Sequence, residues 1–168
     1  MRKAILLISL SVLLLITACQ SAESKEVMQY HNDFVEEVVN RIEIISEEYD
    51  EMDAASTDEE AVEIGNNKIL PILDEIKTHM NAQKPENEDT KDYHKLRKEW
   101  FDLYEEIVIT EVQALDDYVN DQISDEDLEE IFEELQEKSV KAEELAIKAE
   151  EKVDKLTDKY DFEVLNEE

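Results

Sequence analysis

Cys19 is the only cysteine in the 168-residue chain, and its thiol is the strongest nucleophile that the side chains offer. It directly follows an apolar run from Ala4 to Ala18, which Arg2 and Lys3 precede. A positive start, an apolar segment and a small residue at the exit are the three parts of a secretory signal. As a helix the run would reach only about 22 Å, short of the roughly 30 Å hydrocarbon core of a membrane. We therefore predict a cleaved signal peptide over residues 1–18, and the single cysteine excludes an internal disulfide.

The segment Leu15-Ile16-Thr17-Ala18-Cys19 resembles the bacterial lipobox. In that motif an aliphatic residue stands three positions before an obligatory cysteine, as Ile16 does, and a small residue such as Ala18 stands directly before it. The resemblance implies cleavage between Ala18 and Cys19, S-diacylglycerol on Cys19 with N-acylation as a further option, and a location on the extracytoplasmic face of the cell membrane. Two acyl chains suffice for stable anchoring, whereas one does not.

The three histidines offer no metal site by their spacing. His31, His79 and His94 lie on three different predicted helices, and none belongs to the Glu-x-x-His pattern of ferritin-like centres. Glu75 and His79 are four residues apart and could supply half of a surface site. Because the chain is so acidic, chance spacing explains this pair better. We predict no metal and no cofactor.

Carboxylates are abundant but form no recognisable motif. The acid-rich segment from Ser124 to Glu134 lacks the central glycine of a calcium loop. We predict an exposed acidic face there, with weak calcium or magnesium binding as the alternative. Nothing resembles the Gly-x-Ser-x-Gly turn of serine hydrolases, and acylation would remove the Cys19 thiol from catalysis. We predict that the protein is not an enzyme.

Composition sets the fold class and the range of partners. The chain has 47 acidic residues against 17 lysines and arginines, with a formal net charge of −30. Such a charge opposes nucleic acid and favours basic proteins or multivalent cations. One glycine and two prolines are too few for hairpins or nucleotide loops, so we predict an all-α fold.

Periodic apolar residues and caps predict four helices. The first runs from about Ser24 to Ala55. The second begins at a capping box in 56–60, and Pro71 predicts a kink or break between Asn66 and Leu70. The core stripes predicted for these two helices are Val27, Tyr30, Phe34, Val38, Ile42, Ile45, Tyr49 and Met52, then Ala61, Ile64, Ile69, Ile72, Leu73, Ile76 and Met80.

After a loop over 82–89, Thr90 should cap a third helix that ends near Gln122. Ser124 should cap a fourth, which runs to near Lys159 and exceeds about 50 Å. Trp100 and Phe101 point about 100° apart, so either the core face of the third helix is wide or one ring lines a groove. The stripes predicted here are Tyr93, Leu96, Trp100, Leu103, Ile107, Ala114 and Tyr118, then Leu128, Ile131, Leu135, Ala142, Leu145, Ala149, Val153 and Leu156.

Short connections between these helices predict an antiparallel four-helix bundle, with a three-helix bundle as the alternative. The predicted divisions are the signal peptide, 1–18; the lipidated cysteine and a flexible tether, 19–25; the bundle, 26–160; and an acidic tail, 161–168.

The functional expectation is a lipid-anchored, non-enzymatic interaction or binding module of the cell envelope. Its partners would be the membrane, through the lipid on Cys19, and an envelope protein or wall component, but not nucleic acid. The segment Leu103-Tyr104-Glu105-Glu106-Ile107 resembles a stretch of small helical lipoproteins of Gram-positive bacteria that are described as cell-wall-binding. The alternative is an acidic surface protein that binds divalent cations or a small ligand.

Overall fold

A computed structural model describes residues 21–162, and four long helices account for most of them. Ala18 and Cys19, the predicted processing and lipidation residues, lie outside the described residues. Helix α1 consists of an α-helix Ala22–Phe34, a π turn Val35–Val39 and an α-helix Asn40–Asp53. It begins two residues earlier than predicted, so the expected tether is helical from Ala22 onward. The Ser21 side chain caps α1 by accepting a hydrogen bond from the amide of Ser24.

Helix α2 consists of an α-helix Asp58–Ile64, a π turn Gly65–Ile69 and an α-helix Leu70–Ala82. Thr57 caps it, and the Glu60 carboxylate accepts from the amide of Ser56. The helix does not break, but the irregularity predicted between Asn66 and Leu70 is present there as the π turn. Leu70 donates to the carbonyl of Gly65, five residues back, and this wider turn lets the helix continue into Pro71, which has no amide hydrogen.

Helices α3, Glu88–Val119, and α4, Asp125–Tyr160, form a long hairpin. Thr90 does not cap α3 as predicted, because the Asn87 side chain accepts from the Thr90 amide and Thr90 lies inside the helix. Ser124 caps α4 through a complete capping box with Asp127. The 36 residues of α4 span about 54 Å, in agreement with the predicted length.

The four helices form an antiparallel bundle with a long fourth helix, which confirms the predicted fold class. Helices α1, α2 and α3 enclose the main core, and α4 packs along the other side of α3. The buried residues of the main core are Phe34, Val38, Ile45, Met52, Ile69, Leu73, Ile76, Met80, Phe101 and Val108. A second core joins the start of α1 and α3 to the end of α4, through Val27, Tyr30, Tyr93, Ala149, Val153, Leu156 and Phe162.

Helix α3 is apolar on two sides, which explains why one narrow stripe did not describe it. Phe101 is fully buried among α1 and α2, while Trp100 is half-buried and stacks on Tyr104. The wide-face interpretation is therefore confirmed. Leu96, by contrast, packs against the second core, on the side where α4 lies. None of the helices within residues 21–162 is both long enough and apolar enough to span a membrane.

Candidate functional site

One end of the bundle gathers the start of α1, the connection between α2 and α3, and the end of α4. The Ser24 hydroxyl donates to the carbonyl of Tyr160 at 3.4 Å. The Glu26 carboxylate accepts from the amides of Glu86 and Asn87, at 2.6 and 3.0 Å, just before α3 begins. We call this the N-terminal end of the bundle. The described chain begins at this end, so the predicted lipidation site is connected to the bundle here.

Asp89 ties the end of α4 to the start of α3. Its carboxylate accepts from Lys159 and from the Tyr160 hydroxyl, which is 2.7 Å away, and Lys152 lies 3.7 Å from its other oxygen. The hydrogen bond from Lys159, and then that from Tyr160, hold the pKa of Asp89 below its usual value. The hydrogen bond that Lys159 donates to Asp89 in turn raises the pKa of Lys159. The N-terminal end is thus held together by charge as well as by apolar packing.

A buried polar cluster lies just inside this end. Tyr93 is completely buried, and its hydroxyl accepts from Nε of Arg97 at 3.0 Å and lies 2.8 Å from Nδ1 of His31. The guanidinium carbon of Arg97 is 4.3 Å from the centre of the Phe34 ring, in cation–π geometry. His31 and Arg97 are only 2 and 3% exposed. A second pair, Tyr30 and Nδ1 of His94, is joined by a 2.9 Å hydrogen bond.

The histidines are separated in the way that the sequence predicted. Burial, and then the charge of Lys98, lower the pKa of His94. His79 is bonded to Gln83 rather than to Glu75, and Glu75 pairs with Arg41 of α1. Within residues 21–162 no three histidine or carboxylate side chains converge closely enough to hold a metal ion.

A carboxylate lies between two tyrosines in the middle of the bundle. The Tyr49 hydroxyl of α1 donates to Glu111 of α3 at 2.9 Å. Burial raises the pKa of Glu111, although the hydrogen bond from Tyr49 acts in the opposite direction. Burial, followed by the charge of Glu111, raises the pKa of Tyr104 to about 12. Glu111 therefore holds a proton more readily than an exposed glutamate does.

The opposite end of the bundle is lined with acids. An open hollow of about 630 Å³ lies between the starts of α2 and α4 and the end of α3, and Asp58, Glu59, Asp125 and Glu126 line it together with Tyr118. Residues 42–67 and 99–137, which form this end and the adjoining middle, contain 26 acidic residues and no lysine, arginine or histidine. We call this the acidic end. The exposed acidic face that the sequence predicted at 124–134 is part of it.

Charge is therefore distributed unevenly along the bundle. Segments 21–34, 83–98 and 138–162, which form the N-terminal end and the helices leading from it, hold 12 of the lysines and arginines against 14 acids. Those lysines are mostly paired, for example Lys152 with Asp89 and Asp92. Nearly all the net negative charge of the described residues thus lies away from the N-terminal end.

Two features were not predicted from the sequence. The first is the burial of Arg97, although Tyr93, Arg97 and Phe101 follow one another at helical four-residue steps. That register was the available signal. The second is a row of exposed apolar residues on α4, which consists of Phe132, Val140 and Ile147. Their spacing is visible in the sequence, but their exposure depends on where α3 lies.

The fold and the distribution of charge define an all-α four-helix bundle whose net negative charge lies away from its N-terminal end. No protein-family model, no curated protein and no solved structure matches the chain.

Proposed function

We propose that the protein is anchored by lipid on Cys19 to the outer face of the bacterial cell membrane, where its bundle acts as a non-enzymatic interaction module. The observation that carries the proposal is the position of Cys19. It combines the lipobox spacing of Ile16, Ala18 and Cys19 with closeness to the folded domain.

Covalent geometry supports a position of that domain close to the membrane. Ser21, which caps α1, is two residues after Cys19. Two residues reach at most about 7 Å even when fully extended. If Cys19 carries the anchor, then the N-terminal end of the bundle lies at the headgroups, and the tether is shorter than the sequence predicted.

The charge distribution supports this orientation. Repulsion between an acidic protein surface and anionic headgroups decays over about 8 Å in physiological salt. The N-terminal end is almost balanced in charge and can approach such a surface, whereas the acidic end is repelled from it. With α4 about 54 Å long, the acidic end extends several screening lengths away from the membrane. It is then presented to basic partners in the envelope.

The histidines and Glu75 already have partners inside the bundle, which supports a binding role more than a catalytic one. His31 and His94 are bonded to tyrosines, and Glu75 is paired with an arginine. The acidic hollow is lined by carboxylates together with Tyr118 and Ser124, and the Ser124 hydroxyl is already engaged with Asp127 in the capping box of α4.

The test is expression of the full chain in a bacterial host, followed by membrane fractionation and mass spectrometry of the N-terminal peptide. We expect a mature protein that begins at Cys19, carries diacylglycerol and partitions into the membrane fraction. Cys19→Ala should remove the lipid and leave the signal peptide uncleaved, whereas Gln20→Ala, one residue away, should be processed normally. An unmodified Cys19 in the wild-type membrane fraction would refute the proposal.

A further inference from the structure

The outward face of α4 carries three apolar side chains that stay exposed in the described part of the chain. Phe132, Val140 and Ile147 are 41, 55 and 48% accessible to solvent. Since each residue turns the helix by about 100°, their spacing places them within about 80° of one another, over a length of about 22 Å. We call this row the α4 stripe. A single exposed apolar residue is ordinary, but an aligned row on one helix is typical of a contact surface.

The α4 stripe is not needed to hold the bundle together. On a different side of α4, Leu135, Ala142 and Ala149 are buried. The buried residues of the main core come from α1, α2 and α3 alone. Over the region of the stripe α4 thus packs on one side only, and its outer face has no structural role in the described fold.

Acidic residues alternate with the apolar ones along the stripe. Reading along the helix in steps of three and four, the order is Glu129, Phe132, Gln136, Val140, Glu143, Ile147 and Glu150. Within residues 21–162, Glu129, Glu143 and Glu150 form no ion pair, whereas Glu106 of α3 pairs with Lys138 and Glu151 pairs with Lys155. These three carboxylates remain available to an external cation.

This alternation, together with the net charge, disfavours a second copy as the partner. Two stripes packed against each other would bring two rows of carboxylates together, and each chain carries a formal charge of −30. Like charges in such positions oppose association.

We propose that the α4 stripe docks a basic amphipathic helix of a partner protein. Apolar residues of that helix at three- and four-residue steps would pack on Phe132, Val140 and Ile147. Lysines or arginines beside them would pair with Glu129, Glu143 and Glu150. The inference rests on the proposed function as an interaction module, and it assigns that module a surface and a class of partner.

The test uses the full lipidated chain in a neutral detergent. The probe is a fluorescent synthetic peptide of about 20 residues, with leucines at helical spacing and flanking lysines. A second peptide has the same composition in scrambled order, and micelles alone give the background. We expect saturable binding of the patterned peptide, measured by fluorescence anisotropy, and at least tenfold weaker binding of the scrambled one.

Matched variants assign the binding to the stripe. The double variant Val140→Ser with Ile147→Ser should weaken binding about tenfold or more. Ile44→Ser, which removes an equally exposed isoleucine from α1, should change it less than about twofold. Because all these side chains are exposed, the far-ultraviolet circular dichroism of each variant should match the wild type.

Three results would overturn the inference: equal binding of the scrambled peptide, an equal loss on Ile44→Ser, or a dimer of the chain that only the stripe variants dissociate. If Cys19 is lipidated but the patterned peptide does not bind, this inference fails while the proposed anchoring stands. If Cys19 is not lipidated, the proposed function fails whatever the peptide does.

Discussion

A Cβ atom on Gly65 of α2 would lie 2.9 Å from Cγ1 of Val112 in α3 and 3.1 Å from its Cγ2. The backbone of Gly65 does not require glycine, since its φ of −52° is ordinary for a helix. What requires glycine is the close approach of α2 to Val112, which is 1% exposed. The only glycine in the chain therefore allows two helices of the main core to pack tightly.

Gly65→Ala should destabilise the protein by about 1–3 kcal/mol, because the added methyl group has no space beside Val112. In an exposed helix the same change would stabilise by about 0.8–1.0 kcal/mol, so the sign of the effect tests the packing. Thermal unfolding followed by circular dichroism at 222 nm should show a Tm lower by several degrees.

The matched control is Val112→Ala, alone and combined with Gly65→Ala. Val112→Ala alone leaves a cavity and lowers stability. In the double variant the alanine at 65 should fill part of that cavity, so its penalty should disappear. If the two destabilisations simply add, then the contact between the two side chains does not limit the packing.

Caps and apolar spacing predicted most of the fold because they are local properties of the chain. The cap at Thr57 and the capping box at Ser124 set the starts of α2 and α4 close to their predicted positions. In α1, six of the eight predicted core residues are buried, and Ile42 and Tyr49 pack half-buried against the core. A helix with one buried side shows that side clearly in its sequence.

Predictions failed where the structure depends on several elements together. Helix α3 is enclosed on two sides, so the single predicted stripe omitted Phe101, Val108 and Val112, although all three are buried. The burial of Arg97 was not predicted, because it depends on the contacts of its guanidinium with Tyr93 and Phe34. The lipidation proposed at Cys19 depends on a linear motif instead of on packing, and it stays a prediction.

Tyr93→Phe should destabilise the protein by about 1–3 kcal/mol, because the hydroxyl that contacts both His31 and Arg97 is lost inside the core. The ring itself is retained, so packing is nearly unchanged. Tyr30→Phe is the matched control, since its hydroxyl bonds only the half-buried His94 among the described residues; we expect a cost of about 0.5–1.5 kcal/mol. Urea unfolding measures the loss of unfolding free energy in each variant. Equal losses would show that the buried hydroxyl of Tyr93 stabilises the fold no more than that of Tyr30 does.

Glu111→Gln should stabilise the protein at neutral pH by a few tenths to about 1 kcal/mol, because it removes a partly buried charge while the amide oxygen can still accept from Tyr49. Burial raises the pKa of Glu111 above its ordinary value of 4.5, so the folded state holds this proton more strongly than the unfolded state does. The contribution of Glu111 to stability is therefore fully present below pH 4.5 and is lost as pH rises through the folded pKa.

The measurement for Glu111 is urea unfolding from pH 4 to pH 8, with the exposed Glu47→Gln as control. The gain in stability from Glu111→Gln should shrink as pH falls, while the control should show no such trend. A gain that is independent of pH would mean that burial of the charge is not its cause.

Asp89→Asn should show the opposite dependence on pH. The hydrogen bonds from Lys159 and Tyr160 lower the pKa of Asp89 below 3.8, so its contribution to stability is present above that pH and is lost as pH falls through the folded pKa. At neutral pH the variant should be less stable than wild type by about 1 kcal/mol or less, because the carboxylate is partly open to solvent. The exposed Asp158→Asn of α4 is the control. Hydrogen exchange should locate the loss at the last turns of α4, near Tyr160, and loss of protection at the acidic end instead would contradict the assignment of Asp89 as the tie between α3 and α4.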